Sequence, residues 1–204
     1  MKKLLLSSFV MVLAVYAYGQ GLSGGAKGGV NLSNQKYTND GISLDTKAKP
    51  GILIGGYLIY MINEKFGVQP EVLFSMQGSK WDFSGDDSKF KFNYINVPIL
   101  ARYNITDMIS IHAGPQFGFL MSADIEYEDG DEEDIKDDIK GVDVAGATGV
   151  EVNLPNGLGF GARYVLGFTN NIDTDDPDLD GLELKNRVIQ LYVTYTLFGG
   201  SKNK

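Results

Sequence analysis

The amino-acid sequence predicts an all-β protein whose mature part is one closed, eight-stranded, antiparallel up-and-down β-barrel that crosses a membrane. Three observations predict this fold: an N-terminal export signal, eight segments in which apolar and polar residues alternate, and connections that are alternately short and long.

Residues 1–19 have the pattern of a cleaved secretory signal peptide. Two lysines precede an apolar run that ends at Ala17, and the small residues Ala17 and Gly19 mark a cleavage point before Gln20. The apolar run falls short of the roughly 20 residues that a spanning helix needs, which disfavours a retained anchor. The chain has no cysteine, which excludes a lipoprotein anchor and disulfides. We expect residues 20–204 to form one barrel domain.

Eight segments of the mature chain show the period-two alternation of β-strands. In the third, Val72 and Phe74 share an apolar face while Gln69 and Glu71 share a polar one. The second segment is apolar on both faces, so its orientation is not assigned. The predicted strands are residues 22–32, 50–60, 66–77, 90–103, 110–123, 142–152, 158–168 and 186–198.

The connections between these segments alternate in length. Those at 61–65, 104–108 and 153–157 are short, whereas the others are long, polar and mostly acidic, with ten carboxylates between Asp124 and Asp138. Outer-membrane barrels have tight periplasmic turns and longer external loops. After Gln20 no stretch approaches 18 consecutive apolar residues, so a helical membrane protein is disfavoured.

A soluble periplasmic ligand-binding barrel would also alternate, but with its apolar face inward. The polar face here carries few charges and many glycines and amides, as a narrow lumen requires, which favours the membrane barrel. An eight-stranded barrel is just wide enough to be filled by its own side chains, so an open porin is not expected. An unpaired buried charge costs several kcal/mol, so we expect the lumen charges to pair; an ion path is the alternative. The predicted lumen network is Lys27, Glu71, Arg102, His112, Asp143, Glu151 and Arg163.

Three prolines, Pro70, Pro98 and Pro115, fall inside predicted strands. A closed barrel has no free edge where a missing N–H donor is harmless. We therefore expect bulges or strand ends at these prolines.

Six pieces of the sequence resemble the PorT-like outer-membrane β-barrel proteins of Bacteroidetes. They are AKGGVNLSN from Ala26, QPEVLFSMQG from Gln69, YINVPILARY from Tyr94, AGPQFGFLMS from Ala113, GARYVLGFTN from Gly161 and NRVIQLYVTYTLF from Asn186. The resemblance implies a barrel in the outer membrane. The family is named after a protein linked to secretion and gliding machinery, although most members have no assigned activity. The chain departs from the common ending because GGSKNK follows Phe198.

Candidate chemistry in the sequence is sparse. Asp176, Asp178 and Asp180 alternate before a glycine, as at the start of a calcium loop, but Arg187 occupies the twelfth position, so solvated carboxylates are favoured over a divalent-ion site. His112 is the only histidine, and no nucleophile motif accompanies it, so we expect neither an enzyme nor a cofactor.

We therefore expect a structural or interaction role at the cell surface. A more specific expectation is that the protein is accessory to secretion. Trp81 and Phe83, in the predicted loop 78–90, could anchor a protein partner, or Trp81 could belong to an aromatic belt. The other expected contact is outer-membrane lipid around a monomeric barrel. A net charge of −8 argues against nucleic acid.

Overall fold

The computed structural model of the protein describes residues 21–39, 42–83, 86–127, 130–172 and 183–199. The predicted signal peptide, residues 1–19, lies outside the described residues. The candidate ion ligands Asp176, Asp178 and Asp180 also lie outside them. Cleavage of the signal and ion binding by this loop therefore stay predictions.

A single antiparallel sheet closes on itself because the last long strand pairs with the first, in register from Gly25–Thr196 to Thr38–Glu183. Within the described ranges the sheet has eight long strands, which confirms the predicted barrel, and two short strands that pair with β1 and β6. The strands are β1 (Leu22–Asn39), β2 (Ile42–Asp45), β3 (Lys47–Met61), β4 (Phe66–Phe83), β5 (Asp86–Asn104), β6 (Ile109–Glu126), β7 (Glu132–Asp134), β8 (Val142–Asn153), β9 (Leu158–Gly167) and β10 (Glu183–Phe198).

An apolar belt covers the outside of the barrel. On β6 it runs from Ile111 to Met121, a distance of ten residue steps. At about 3.4 Å per step and a strand tilt of about 40° this spans roughly 26 Å, close to the ~25 Å band of membrane barrels. Among the described residues, no helix has the length and apolar character needed to cross a membrane. Exposed members of the belt include Val30, Leu32, Ile52, Ile54, Val72, Ile99, Phe119, Val150, Phe160, Leu166, Ile189, Leu191 and Val193.

The structure assigns the faces of β3, which the sequence left open. Leu53 and Tyr57 are buried inside, whereas Ile52 and Ile54 are more than half exposed on the outside. Leu53 packs in the lumen against Leu73 and Tyr192. Apolar side chains are tolerated on the inner face of β3 because they pack against one another in the filled lumen and are not exposed to water.

The predicted loop 78–90 is wrong: most of it is strand. The β4–β5 register continues without a shift from Gln77–Phe92 to Phe83–Asp86. Trp81 and Phe83 therefore lie in β4 by backbone, and their side chains lie outside what the structure describes. The same error affects residues 33–49 and 123–141, parts of which extend β1, β3 and β6 or form β2 and β7.

Cross-strand ion pairs explain why these polar segments remain extended. Glu126 contacts Lys89 Nζ at 2.7 Å and also contacts Lys91, and Lys91 Nζ lies 2.7 Å from Glu132 on β7. Hydrogen bonds from Lys89 and Lys91 lower the pKa of Glu126 to about 2, and those carboxylates raise the pKa of Lys91 above its ordinary value. Opposite charges on facing strands stabilise a sheet.

The prolines do not lie at bulges, which corrects that expectation. Register shifts occur instead between Gly24 and Gly25, between Ala48 and Leu53, and between Asn93 and Tyr94. Around the prolines the ladder pairs lapse and then resume in the same register, as from Pro70–Ile99 to Leu73–Asn96. The N–H donors that the prolines lack therefore fall in short gaps in the pairing, and no extra residue is inserted there.

Candidate functional site

Glycines on neighbouring strands make room for the large polar side chains of the lumen. Gly149 pairs with His112 on one side and Arg163 on the other, and a Cβ on Gly149 would lie 2.8 Å from His112 Nε2. Gly161 pairs with Tyr192, whose ring would lie 2.3 Å from an added Cβ. The glycine-rich run of β9 therefore serves packing, which is the role its position in a strand indicated.

Glu71 is the centre of the charged network. Its carboxylate accepts hydrogen bonds from Lys27 Nζ at 2.7 Å and from both terminal nitrogens of Arg163 at 2.7 and 2.8 Å. The three side chains come from β4, β1 and β9, and all have no exposed side-chain surface. The two-pronged Arg163–Glu71 contact has the strongest geometry available to an ion pair.

A second ion pair continues the network toward the periplasmic turns. Arg102 Nη1 donates to Glu151 Oε1 at 3.0 Å and to Gln69 Oε1 at 2.7 Å. Gln69 Nε2 in turn donates to Glu71 at 2.7 Å, so one amide joins the two ion pairs. With its amide turned to satisfy both neighbours, Asn153 donates to Glu151 and accepts from Arg102.

His112 belongs to the same network as a neutral acceptor. Arg163 Nε donates to His112 Nε2 at 3.2 Å, which places the ring proton on Nδ1. Nδ1 has no hydrogen-bond partner among the described residues, and the whole residue is buried. The lone pair that a general base would use is therefore already occupied.

Tyr192 is a member of the network that the sequence analysis did not single out. Lys27 Nζ lies 4.0 Å from the centre of its ring, and the Arg163 guanidinium carbon lies 5.4 Å from it, so the ring faces both cations. Its phenol oxygen lies 3.5 Å from His112 Nε2. The signal in the sequence was its place on the polar face of β10, since an aromatic there must pack inside.

Asp143 does not join the ion pairs, which corrects the expectation that every lumen charge has a charged partner. Its only described hydrogen bond is accepted from Asn186 Nδ2 at 2.9 Å, and Oδ1 has no partner among the described residues. Asp143 lies six positions from Gly149, the residue that pairs with Arg163, which is about 20 Å along β8. Asp143 lies on the inner face like the other charges, but its distance from them along the barrel keeps it out of the ion-pair network.

Amides and hydroxyls fill the lumen between the Glu71 network and the level of Asp143. Gln35 Nε2 donates to Asn186 Oδ1 at 3.1 Å, and Gln35 Oε1 accepts from Ser79 Oγ at 2.9 Å. Asn31 Nδ2 donates to Ser75 Oγ at 2.9 Å, and its oxygen accepts from Gln190 at 3.2 Å. These contacts join β1 to its neighbour β10 and, across β3, to β4.

Metal chemistry has little support in this interior. In the part of the chain that the structure describes, no group of three or more histidine, cysteine, aspartate or glutamate residues is arranged to hold a metal ion. Both carboxylates of the charged network already accept hydrogen bonds from cations.

A closed barrel with an apolar outer belt and a polar, filled interior defines an outer-membrane β-barrel protein. The alternative of a soluble periplasmic barrel, whose apolar face would point inward, is not favoured. Residues 16–173 match the model of the outer membrane protein beta-barrel domain, so the chain belongs to that family. It accordingly resides in the outer membrane, surrounded by lipid. No curated protein matches the sequence.

Two solved structures share the fold. Neisserial surface protein A is similar with a TM-score of 0.56 at 13% identity, covering 86% of this chain and 99% of that one. Ail, the attachment invasion locus protein of Yersinia pestis, is similar with a TM-score of 0.50 at 17% identity, covering 87% of this chain and 99% of that one. At these identities the likeness concerns the fold alone.

Proposed function

We propose that the protein is a plugged outer-membrane barrel that acts at the cell surface through protein contacts, without conducting ions and without catalysis. The observation that carries the proposal is strand length: β4, β5 and β6 have 18, 19 and 18 residues, whereas about 9–11 suffice to cross a membrane. On β6 the belt ends at Met121, so residues 122–126 project beyond it, and the pairing of β4 with β5 continues further, to Phe83–Asp86.

The interior supports the absence of conduction and catalysis. Glu71, Lys27 and Arg163 meet across the lumen with no exposed side-chain surface, which closes the axis of the barrel. The acceptor nitrogen of His112 is engaged by Arg163, so the single histidine is poorly placed to accept a substrate proton.

The projecting sheet supports a binding role. Its β5–β6–β7 part is held by the ion pairs of Lys89 and Lys91 with Glu126 and Glu132. A pre-ordered surface loses less conformational entropy on binding than a flexible loop. Trp81 lies near its outer end by backbone position, and aromatic residues are frequent at binding centres.

A finer assignment, to the PorT-like barrels of Bacteroidetes with an accessory role in secretion, is part of the proposal. Its support is the set of six sequence pieces quoted above, which extend from Ala26 to Phe198 in order. This assignment predicts that partners captured at the surface include components of a secretion assembly.

Crosslinking and affinity capture from native membranes test the proposal. Because Trp81 pairs with Ser88, residues 82–87 can be replaced by a two-residue Asn-Gly turn that preserves the register below it. The matched control replaces residues 127–131, between the paired Glu126 and Glu132, in the same way. Substitution of Trp81 and Phe83 by alanine isolates the aromatic contribution.

We expect the 82–87 replacement to lose partners that the control replacement keeps, with both variants showing normal heat-modifiable gel mobility. Identical capture by wild type and both variants would contradict the proposal and favour the periplasmic turns as the interface, or a purely structural role. Large, steady conductance in planar bilayers would contradict the plugged interior.

A further inference from the structure

A groove of about 450 Å³ lies on the outer face of the barrel, where β1, β10, β9 and β8 are neighbours. One row of paired residues crosses it. Val30 on β1 pairs with Leu191 on β10, which pairs with Ala162 on β9. Ala162 in turn pairs with Val150 on β8. Because these side chains are apolar and lie on the outside, the groove is part of the belt that membrane lipid surrounds.

Ala162 produces the groove because its side chain is shorter than those around it. Its neighbour Arg163 is buried in the lumen, so Ala162 points toward the lipid. Phe160 and Tyr164, the next outward residues along β9 in either direction, are both exposed. The alanine is therefore the floor of a depression, with aromatic rings before and after it and branched aliphatic side chains on the neighbouring strands.

The groove climbs obliquely from the periplasmic edge of the belt toward its middle. Val150 is three residues from the end of β8 at Asn153, and it pairs with Ile111, where the belt begins on β6. Val30 is eight residues from the start of β1 at Leu22. Both of these strand ends lie beside short periplasmic turns. At about 3.4 Å per residue and a strand tilt of about 40°, the five additional residues place Val30 roughly 13 Å higher than Val150.

The dimensions of the groove match one acyl chain of a single leaflet. The hydrocarbon core of a bilayer is about 30 Å thick, so one leaflet contributes about 15 Å, close to the height that the groove climbs. A methylene group is about as large as a water molecule, which occupies about 30 Å³ in the liquid. The volume of the groove therefore accommodates roughly 15 methylene groups, about one chain.

We propose that the groove binds one acyl chain of a phospholipid of the periplasmic leaflet, with the glycerol end near Val150 and the terminal methyl near Val30. Lipid tails are as apolar as the belt, so hydrophobic burial does not select this chain. Selection comes from van der Waals contact, which is greater in a groove than on a convex surface because the walls and the floor all touch the chain. The site goes beyond the proposed surface contacts, because it lies in the membrane and not on the projecting sheet.

Lipid retention by the purified barrel tests the site. The barrel is reconstituted in nanodiscs that contain phosphatidylethanolamine and extracted into mild detergent, and the retained lipids are counted by native mass spectrometry. Ala162→Leu fills the floor of the groove, and Leu191→Ala removes one of its walls. Ala113→Leu is the matched control, because Ala113 is also an exposed alanine of the belt and lies on β6, away from the groove.

Wild type and Ala113→Leu should each retain one phospholipid. Ala162→Leu and Leu191→Ala should retain it roughly tenfold less, the factor expected for the loss of about ten carbon contacts. Heat-modifiable gel mobility establishes that the variants are folded.

Equal retention by wild type and Ala162→Leu would overturn the proposal, and so would an equal loss in Ala113→Leu. The same spectra report the mass of the assembly. If wild type has the mass of two barrels and Ala162→Leu that of one, a second copy of the chain occupies the groove and the acyl-chain proposal is wrong.

Photocrosslinking determines which leaflet supplies the chain. The probe is phosphatidylethanolamine that carries a diazirine on one chain, either next to the glycerol or next to the terminal methyl, and labelled peptides are identified by mass spectrometry. We expect the glycerol-end probe to label β8 around Val150 and the methyl-end probe to label β1 around Val30. The reverse order would assign the chain to a lipid of the outer leaflet and overturn the proposal.

Discussion

Substitution of Glu71 by glutamine is the sharpest test of the lumen network. The carboxylate accepts three hydrogen bonds from the cations Lys27 and Arg163 and one from Gln69. At about 1.5–3 kcal/mol for each bond to a charged group, the three cationic bonds sum to an upper bound of about 5–9 kcal/mol. Removal of one partner from a buried pair costs about 3–5 kcal/mol, because the remaining charge stays buried without its counter-ion.

We expect Glu71→Gln to lower the free energy of unfolding by about 3–5 kcal/mol, the smaller of the two figures, since such bonds are not additive. A loss of about 4 kcal/mol reduces the ratio of folded to unfolded protein roughly a thousandfold. Urea unfolding of the barrel in lipid vesicles, followed by tryptophan fluorescence and by gel mobility, measures it. The matched control is Glu64→Gln, an exposed carboxylate in the β3–β4 turn, with an expected change below about 0.5 kcal/mol.

A double-mutant cycle separates charge pairing from packing. Lys27→Met combined with Glu71→Gln should return a coupling energy within about 0.5–3 kcal/mol, because Lys27→Met removes one of the two cations that Glu71→Gln leaves without a counter-ion. A loss below about 1 kcal/mol for Glu71→Gln alone, or strictly additive losses in the cycle, would refute the hub role of this carboxylate.

Three further predictions follow from the same geometry. Asp143→Asn should leave the free energy of unfolding unchanged or raise it by up to about 1 kcal/mol. The reason is that Asp143 has no described cationic partner, and a neutral side chain costs less to bury. A loss above about 2 kcal/mol in the same urea assay would contradict this prediction. The pKa of Glu126 is about 2, below its ordinary 4.5, so the stability that it contributes is complete above about pH 4.5 and is lost as the pH falls toward 2. Carboxyl NMR titration should return the pKa of Glu126 toward 4.5 in the Lys89→Gln/Lys91→Gln variant, and an unchanged midpoint would exclude the lysines as its cause. Planar-bilayer recording should show no porin-like conductance for wild type.

Period-two alternation was sufficient to predict the number of long strands and the face of each candidate lumen residue. Glu71, Arg102 and Arg163 all lie inside, as the residues on either side of them in β4, β5 and β9 indicated. Alternation works because each neighbour along a strand points to the opposite face, so one apolar face determines the other. It could not orient β3, where Leu53 and Ile54 are equally apolar, and only the closed sheet decided which of them meets lipid.

The same pattern overestimated the loops beyond the membrane. Polar residues at 78–90 looked like a connection, yet they pair as strands through Lys89 and Lys91. An extended strand in water needs cross-strand partners rather than an apolar face, and those partners lie on β6 and β7, more than thirty residues further along the chain. Local patterning contains no information about that pairing.

By itself, then, the sequence determined the membrane-facing belt, the eight long strands and the polar lining of the interior. The tertiary structure alone decided which lining residues meet: Glu71 reaches Arg163, 92 residues away, while Asp143 on the same face finds only Asn186. The physical reason is that strand periodicity sets the side of the sheet on which a residue lies. Its height along the barrel axis depends on every register between neighbouring strands and on the closure of β10 against β1.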